Sequence, residues 1–361
     1  MTPRRRRADY RHVESQLRAI ERGADEGELE LDEGLLRVSS LSKLYFPKSG
    51  ITKGDLMRYY TRVAPFLLPE IEGRALVLKR YPDGVDGPMF FQQNAGDHVP
   101  DTVRVATLDT VELGSKPRIV GGDLLTLLYT VQLGAIEVHP WLSRVDDVDA
   151  PDRCLIDLDP GDDVPLGTVT KLAREIARIA DAAGLRSAIK TSGSSGIHIV
   201  LPLPQNTTYE TSAALAQKLA DAAVAAHPDL ATVERSVKAR PKGSIYVDAL
   251  QNARGKSMAA PYSARARASA SVSAPLRERE LTSRLRIDAF TVRTLPARLA
   301  RTGDLWGEAI AKRPTARAIA RAMTSLEDAS SAPPPSARRR ARIPAGGPHA
   351  GSSSRPRARS A

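Results

Sequence analysis

Three short segments carry side chains suited to hold a nucleotide and divalent cations. They are Cys154-Leu-Ile-Asp-Leu-Asp-Pro160, Thr191-Ser-Gly-Ser-Ser-Gly-Ile-His-Ile-Val-Leu-Pro202 and Ile245-Tyr-Val-Asp-Ala-Leu-Gln-Asn252. Each reads as a strand. Alternate strand side chains face opposite ways, so Asp157 and Asp159 share one face while Ile156 and Leu158 take the other. Two carboxylates aimed at one point repel unless a cation lies between them. Asp248 stands in a similar setting, with Tyr246 on its own face and Ile245 and Val247 opposite. Three carboxylates without a thiol or histidine cluster suit hard Mg2+ or Mn2+ rather than zinc. Loop capping is the plain alternative for the first pair, because Pro160-Gly-Asp-Asp163 follows it. The middle segment points away from capping. Ser192-Gly-Ser-Ser-Gly196 is a turn of small residues whose backbone N–H groups can cradle an anion. It runs into a strand on which His198 and Val200 share a face. No Gly-Lys-Ser/Thr ends the turn, so it is not a Walker loop.

The elements that must position these residues alternate along the chain without repeats. Val13 to Ala24 reads as a short charged helix and Leu35 to Ser39 as a strand. Thr52-Lys-Gly-Asp55 forms a capping box ahead of a helix with Leu56, Tyr60, Val63 and Leu67 on one face. Ala75 to Arg80 reads as a strand, Asp123 to Leu133 as an apolar helix, and Ile136 to Val138 as the strand it feeds. Val169, Leu172, Ile176 and Ile179 mark an amphipathic helix closed by Gly184. A further helix spans Tyr209 to Ala226, before Pro228. Residues 153–250 thus predict a small open sheet with helices on one face, in an α/β or α+β fold.

In order and kind, these motifs resemble the polymerase domain of bacterial DNA ligase D, of the archaeo-eukaryotic primase superfamily. The likeness runs from about Leu36 to about Leu305. It also takes in Lys43-Leu-Tyr-Phe-Pro47, Thr52-Lys-Gly-Asp55, Lys79-Arg-Tyr-Pro-Asp-Gly84, Phe90-Phe91, Glu137-Val-His-Pro140 and Ala260-Pro-Tyr-Ser-Ala-Arg265. The resemblance implies two α/β modules with the active site in the cleft between their sheets. It implies that Asp157, Asp159 and Asp248 bind two divalent metal ions, Mg2+ or Mn2+. It gives Ser192, Ser194, His198 and Arg265 to the incoming triphosphate and His139 to the sugar, with Lys79 and Gln251 as further nucleotide contacts. Phe90 and Phe91 are implied to stack on template bases, and Lys43 and Lys53 to hold the 5′-phosphate of a broken DNA end. One residue departs from the pattern: many relatives carry Lys where this chain has Ser195. Lys79, Lys242 or Arg265 would have to replace that cation.

Paired phenylalanines beside Gln92-Gln-Asn94 suit a stacking platform, since base–aromatic stacking is worth roughly 1–3 kcal/mol. Adjacent residues on an extended segment face opposite ways, so at most one of the two should be core. The single Cys154 excludes an internal disulfide, fits a reducing cytoplasmic compartment, and alternates with Ile156 and Leu158 as a core thiol would. No apolar run reaches membrane-spanning length, so no membrane association is expected.

The formal net charge is +11. Arg4 to Arg7 supply four positive charges, and residues 329–361 supply seven Arg without an acid, which leaves the remainder formally neutral. The globular part must therefore bind nucleic acid through local patches. This divides the chain into a basic N-terminal extension with a short helix (1–33), a primase-polymerase domain (34–310) and a basic, disordered tail (311–361).

The function expected is template-directed nucleotidyl transfer, a DNA-dependent primase-polymerase that prefers ribonucleotides and acts at DNA ends or gaps in non-homologous end joining. The chain has no Lys-x-Asp-Gly ligase motif. A separate ligase and the end-binding protein Ku are therefore expected as partners, alongside NTP or dNTP and 5′-phosphorylated DNA. The alternatives are a catalytically weak DNA-end-binding module, a metal-dependent nuclease, and a primase serving replication or plasmid maintenance.

Overall fold

The computed structural model describes residues 9–110 and 114–331. The first half comprises helix α1 (Arg11–Arg22), hairpin β1 (Glu26–Leu31) and β2 (Gly34–Ser39), the short pair β3 (Leu44–Phe46) and β4 (Ile51–Thr52), and helix α2 (Lys53–Ile71). There follow β5 (Leu76–Arg80), β6 (Phe90–Gln92), hairpin β7 (Val105–Thr110) and β8 (Gly114–Ile119), α3 (Leu124–Gln132) and β9 (Ala135–Pro140). Strand β5 pairs with both β6 and β9. The short hairpin β10 (Ser143–Arg144) and β11 (Asp147–Pro151) leads into the second half. There come β12 (Arg153–Pro160), α4 (Leu166–Ala182), β13 (Ala188–Thr191), β14 (Ile197–Pro202), α5 (Tyr209–Ala226), β15 (Ala231–Thr232) and β16 (Ile245–Asp248). Last are β17 (Pro275–Leu276), α6 (Leu295–Thr302), α7 (Leu305–Ile310) and α8 (Ala316–Ser331).

The second half is organised by one six-stranded sheet in the order β15-β16-β12-β14-β13-β17, antiparallel throughout except for β15 with β16. Alternation along β12 sets its two faces. Cys154, Ile156 and Leu158 are buried against Val169, Leu172 and Ile176 of α4 and Leu215 and Leu219 of α5. Removing each such side chain from water contributes about 1.5–3 kcal/mol. Burial pushes the Cys154 thiol up to about 12, as befits a core residue. The opposite face is divided along its length. Leu155, Ala188 and Val200 join the core of the first half. Beyond them the same face turns polar, and there the sheet meets the first half across a cleft.

Local signals placed most helices within a few residues. Thr52 and Asp55 form the reciprocal capping box, with Asp55 N donating to Thr52 Oγ1 at 3.0 Å and Thr52 N donating to Asp55 Oδ2 at 3.2 Å. Gly184 adopts φ +79° just beyond α4. Helix α5 has the expected bounds, with Thr208 accepting from Thr211 N at its N-terminus.

Two expected boundaries move. Residues 9–33 do not stand apart from the domain, because Val13 and Leu17 of α1 and Leu29 and Leu31 of β1 are buried in the first core. The expected tail contains a helix: α8 buries Ile319, Ala322 and Leu326 in the second core, beside α5. Its apolar positions recur at helical spacing, a signal the low-complexity sequence beyond it obscured. Arg4 to Arg7 and residues 332–361 lie outside the described residues. Among the described residues no helix is long and apolar enough to cross a membrane.

Candidate functional site

Strand register sets the site. Asp157 on β12 opposes Asp248 on β16 on one side and His198 on β14 on the other, and His198 opposes Lys190 on β13. Directly opposed residues project from the same face. Asp248, Asp157, His198 and Lys190 therefore make one polar row across four strands, and Asp159 and Tyr246 form the next. Asp157 and His198 of this row line a 280 Å³ cavity, together with Asp159, Ser192, Ser194, Gln251, His139 and Arg265.

The carboxylates strain against one another. Burial, Asp159 and Asp248 together push the Asp157 carboxyl up to about 7. A divalent cation would relieve that repulsion, and oxygen donors of this kind fit Mg2+ or Mn2+. Yet the expected metal centre is not preassembled. Among the described residues no three His, Cys, Asp or Glu side chains are grouped to hold a metal ion. Asp248 Oδ1 accepts from Leu250 N at 2.8 Å and Tyr246 Oη at 3.3 Å, and its Oδ2 accepts from Gln251 Nε2 at 3.0 Å. Asp159 Oδ2 accepts from Arg240 Nη1 at 3.3 Å, while the guanidinium lies 4.2 Å from the centre of the Tyr246 ring. Two of the three acids are thus turned to local donors.

The Ser192–Gly196 turn joins β13 to β14 at the cavity edge. Gly193 has φ +74°, and a Cβ there would fall 2.6 Å from Arg265 Cγ. A Cβ on Gly196 would fall 2.1 Å from the Leu158 carbonyl oxygen, so glycine lets the turn approach β12. The anion nest expected here is narrower than the sequence suggests. Ser194 N and Gly196 N donate to Ser192 Oγ at 3.1 and 3.0 Å, and Ser192 N donates to Gly196 O at 3.0 Å. The hydroxyl of Ser192 occupies donors that an anion would otherwise receive.

Across the cavity, Glu137 on β9 organises the first half's contribution. Its Oε2 accepts from His139 Nε2 at 2.9 Å and from Arg265 Nε at 2.8 Å. Its Oε1 accepts from Ala266 N at 3.1 Å and Lys79 Nζ at 3.4 Å. Despite deep burial, hydrogen bonding to His139 and the charge of Arg265 hold this carboxyl well below the usual range. The Ala260-Pro-Tyr-Ser segment docks on β9, with Ala260 N donating to Val138 O at 3.0 Å and Val138 N to Ser263 Oγ at 3.0 Å. That docking delivers Arg265 to Glu137. Arg265 Nη1 also donates to Ser192 O, tying the turn to the opposite wall.

The remaining expected residues lie apart from the cavity. Phe90 and Phe91 on β6 are both exposed, at 45% and 57%, so neither is core. Arg80 stands 4.9 Å from the Phe90 ring centre and Lys79 5.9 Å from that of Phe91. Lys43 and Lys53 adjoin, with Lys53 N donating to Lys43 O at 2.9 Å. Lys43 Nζ donates to Asp83 Oδ1 at 2.8 Å and Lys53 Nζ to Ser39 O at 2.8 Å. Burial and the nearby Lys43 push Lys53 down to about 8.

Sequence reading missed Lys190, Arg240 and Glu137 as parts of the site. Glu137 had a signal, an acid within the apolar strand Ala135-Ile-Glu-Val. Asn252 was missed as a staple: its side chain accepts from Leu155 N at 2.8 Å and donates to Leu155 O at 2.7 Å, holding the segment after β16 against β12.

The family described as LigD, primase-polymerase domain, matches residues 52–306. The bifunctional non-homologous end joining protein LigD of Bacillus subtilis (strain 168) is 35% identical over 269 residues, covering 74% of this chain and 43% of that protein. The multifunctional non-homologous end joining protein LigD of Pseudomonas aeruginosa is 31% identical over 265 residues, covering 73% of this chain and 31% of that protein. The chain therefore spans less than half the length of these relatives. The solved polymerase domain from Mycobacterium tuberculosis ligase D in complex with DNA superposes with a TM-score of 0.71 at 30% identity, covering 77% of this chain and 99% of that one. That likeness gives the mixed α/β architecture its class, an archaeo-eukaryotic primase-like fold. Together with the match over residues 52–306, it shows that the chain belongs to the LigD primase-polymerase domain family.

Proposed function

We propose that the protein is a template-directed nucleotidyltransferase that extends DNA ends and gaps in non-homologous end joining, with ribonucleotides preferred. The observation that carries this reading is the row Asp248–Asp157–His198 on adjoining strands, of which Asp157 and His198 line one cavity with Arg265 and His139. Bound to Asp157, Asp159 and Asp248, two Mg2+ or Mn2+ ions would supply Lewis-acid neutralisation of the charge that develops in phosphoryl transfer. For that, Asp159 must release Arg240 and Asp248 must release Gln251. Arg265 is the permanent cation lining the cavity and pairs with the triphosphate, covering for the uncharged Ser195. Ser192, Ser194 and His198 give hydrogen bonds to the same group, and Gln251 and Lys79 complete the nucleotide contacts. His139, whose Nε2–H is taken by Glu137, keeps Nδ1 as an acceptor for a sugar hydroxyl.

Outside the cavity, Phe90 and Phe91 stack on template bases, and Lys43 with Lys53 receives the 5′-phosphate of a broken end. Ku and a DNA ligase are the partners this reading requires, acting at the nucleoid of a bacterial cytoplasm. Primer extension on a gapped, 5′-phosphorylated duplex with Mn2+ tests it. Asp157→Asn should lower extension by at least about a hundredfold, since a lost ligand forfeits several kcal/mol of charge stabilisation. DNA affinity should persist. A folded Asp157→Asn protein that extends normally overturns the reading.

A further inference from the structure

Lys190 closes the polar row and is wholly buried, at 0% exposure. Among the described residues its Nζ has two hydrogen-bond partners, His198 Nδ1 at 2.6 Å and Ser273 Oγ at 2.8 Å. A buried lysine persists only where such acceptors offset its desolvation. The direction of each bond follows from the number of hydrogens. Ser273 has one hydroxyl hydrogen and donates it to the Thr191 carbonyl oxygen at 2.8 Å. Its oxygen must therefore accept from Lys190. As an ammonium, Lys190 can only donate, so His198 Nδ1 is an acceptor and the ring hydrogen sits on Nε2. As an amine, Lys190 has two hydrogens, enough for both acceptors, but also a lone pair that could take a hydrogen from Nδ1, so in that state the far side of the ring selects the tautomer. The far side of the ring agrees: His198 Nε2 stands 3.4 Å from Asp157 Oδ1, an acceptor that calls for a hydrogen on Nε2. With Nδ1 accepting from Lys190 and Nε2 donating towards Asp157, the ring carries one N–H.

We propose that Lys190 is a positioning residue that fixes His198 in the Nε2–H tautomer, making the ring a hydrogen-bond donor to an anionic group in the cavity. Lys190 itself stands behind the ring, on the side away from Asp157. The role of the donor rests on the nucleotide reading above; the tautomer does not.

The test separates them. In the 15N-labelled full chain, ring nitrogen–proton correlations assigned with His198→Gln should show His198 protonated at Nε2 and bare at Nδ1. Lys190→Met should lose that single pattern, and Lys190→Arg should retain it. By calorimetry with ATP and Mn2+, Lys190→Met should weaken binding about tenfold, the scale of one charge-assisted hydrogen bond. It should add nothing further in a His198→Ala background, because both changes remove the same donor. A wild-type ring protonated at Nδ1, or additive losses in the double variant, would overturn the proposal. If Lys190→Met fails to fold, the wild-type and Lys190→Arg ring spectra decide. An Nε2–H ring in a protein that does not bind ATP would uphold the tautomer and sink only the nucleotide reading.

Discussion

Lys53 is 4% exposed, and burial brings its ammonium down to about 8 from an ordinary 10.5. The unfolded chain holds that proton more tightly, so Lys53 disfavours the fold below about pH 8, and stability recovers as pH rises from about 8 towards 10.5. Binding runs the other way. An ammonium that meets a 5′-phosphate is lost above its pKa, so the preference for phosphorylated over hydroxyl ends should fall as pH rises past about 8. Competition binding across that range checks this, and Lys53→Met should flatten the profile. A second prediction concerns Glu137, which holds His139, Arg265 and Lys79 at once. Glu137→Gln leaves a partly buried guanidinium without its anion, a loss that approaches about 3–5 kcal/mol only where such a pair is fully buried. Lower thermal stability should accompany at least about a tenfold rise in KM for the nucleotide, both beyond what Lys79→Met produces.

Elements decide how firmly the site is framed. Helix α8 buries Ile319 and Leu326 in the core behind the six-stranded sheet. Leu326→Ala should therefore cost about 2–5 kcal/mol in urea unfolding, as a cavity in a packed core does. Primer extension at saturating DNA and nucleotide should change little, since α8 lies on the face of the sheet opposite Asp157. The Ser192–Gly196 turn is framed more rigidly. Because a Cβ at residue 196 would overlap the Leu158 carbonyl oxygen, Gly196→Ala should displace the turn and weaken nucleotide binding more than Ser195→Ala, whose side chain is exposed. Parallel nucleotide titrations of the two variants compare them directly.

On the scale of the whole molecule, the two cores are joined by charge as well as by packing. Arg153 at the start of β12 pairs with Glu70 of α2 at 2.6 Å, and Trp306 Nε1 donates to the same carboxylate at 2.5 Å. Arg74 pairs with Asp152 at 2.5 Å. These contacts hold the Asp157 wall against the His139 wall, so a single cooperative unfolding transition is expected for both halves. The Arg-rich segment 332–361 adds charge without acid. Each phosphate it neutralises would contribute about −0.9 to the slope of log affinity against log salt on duplex DNA. Truncation after Ser331, which keeps α8 whole, should flatten that slope by several units at most and leave single-turnover extension nearly unchanged. An unaltered slope would mean that the segment does not touch DNA.

The sequence by itself determined which strand face carries the acids, because a period of two leaves Asp157 and Asp159 no other arrangement once Ile156 and Leu158 are core. It also determined α2 and α5 closely, since their caps are local hydrogen bonds between residues three apart. What it could not determine depends on partners far along the chain. Asp157 lies beside Asp248 and His198 only through strand register, and Lys190 joins them only because β13 pairs with β14. Glu137 reaches Arg265, 128 positions away, because a later segment docks on β9. Likewise, α8 was hidden by the low-complexity sequence beyond it until its apolar stripe met α5. Local periodicity assigns a side chain to a face; only the packed sheet and the segment laid across it decide which other side chains that face will meet.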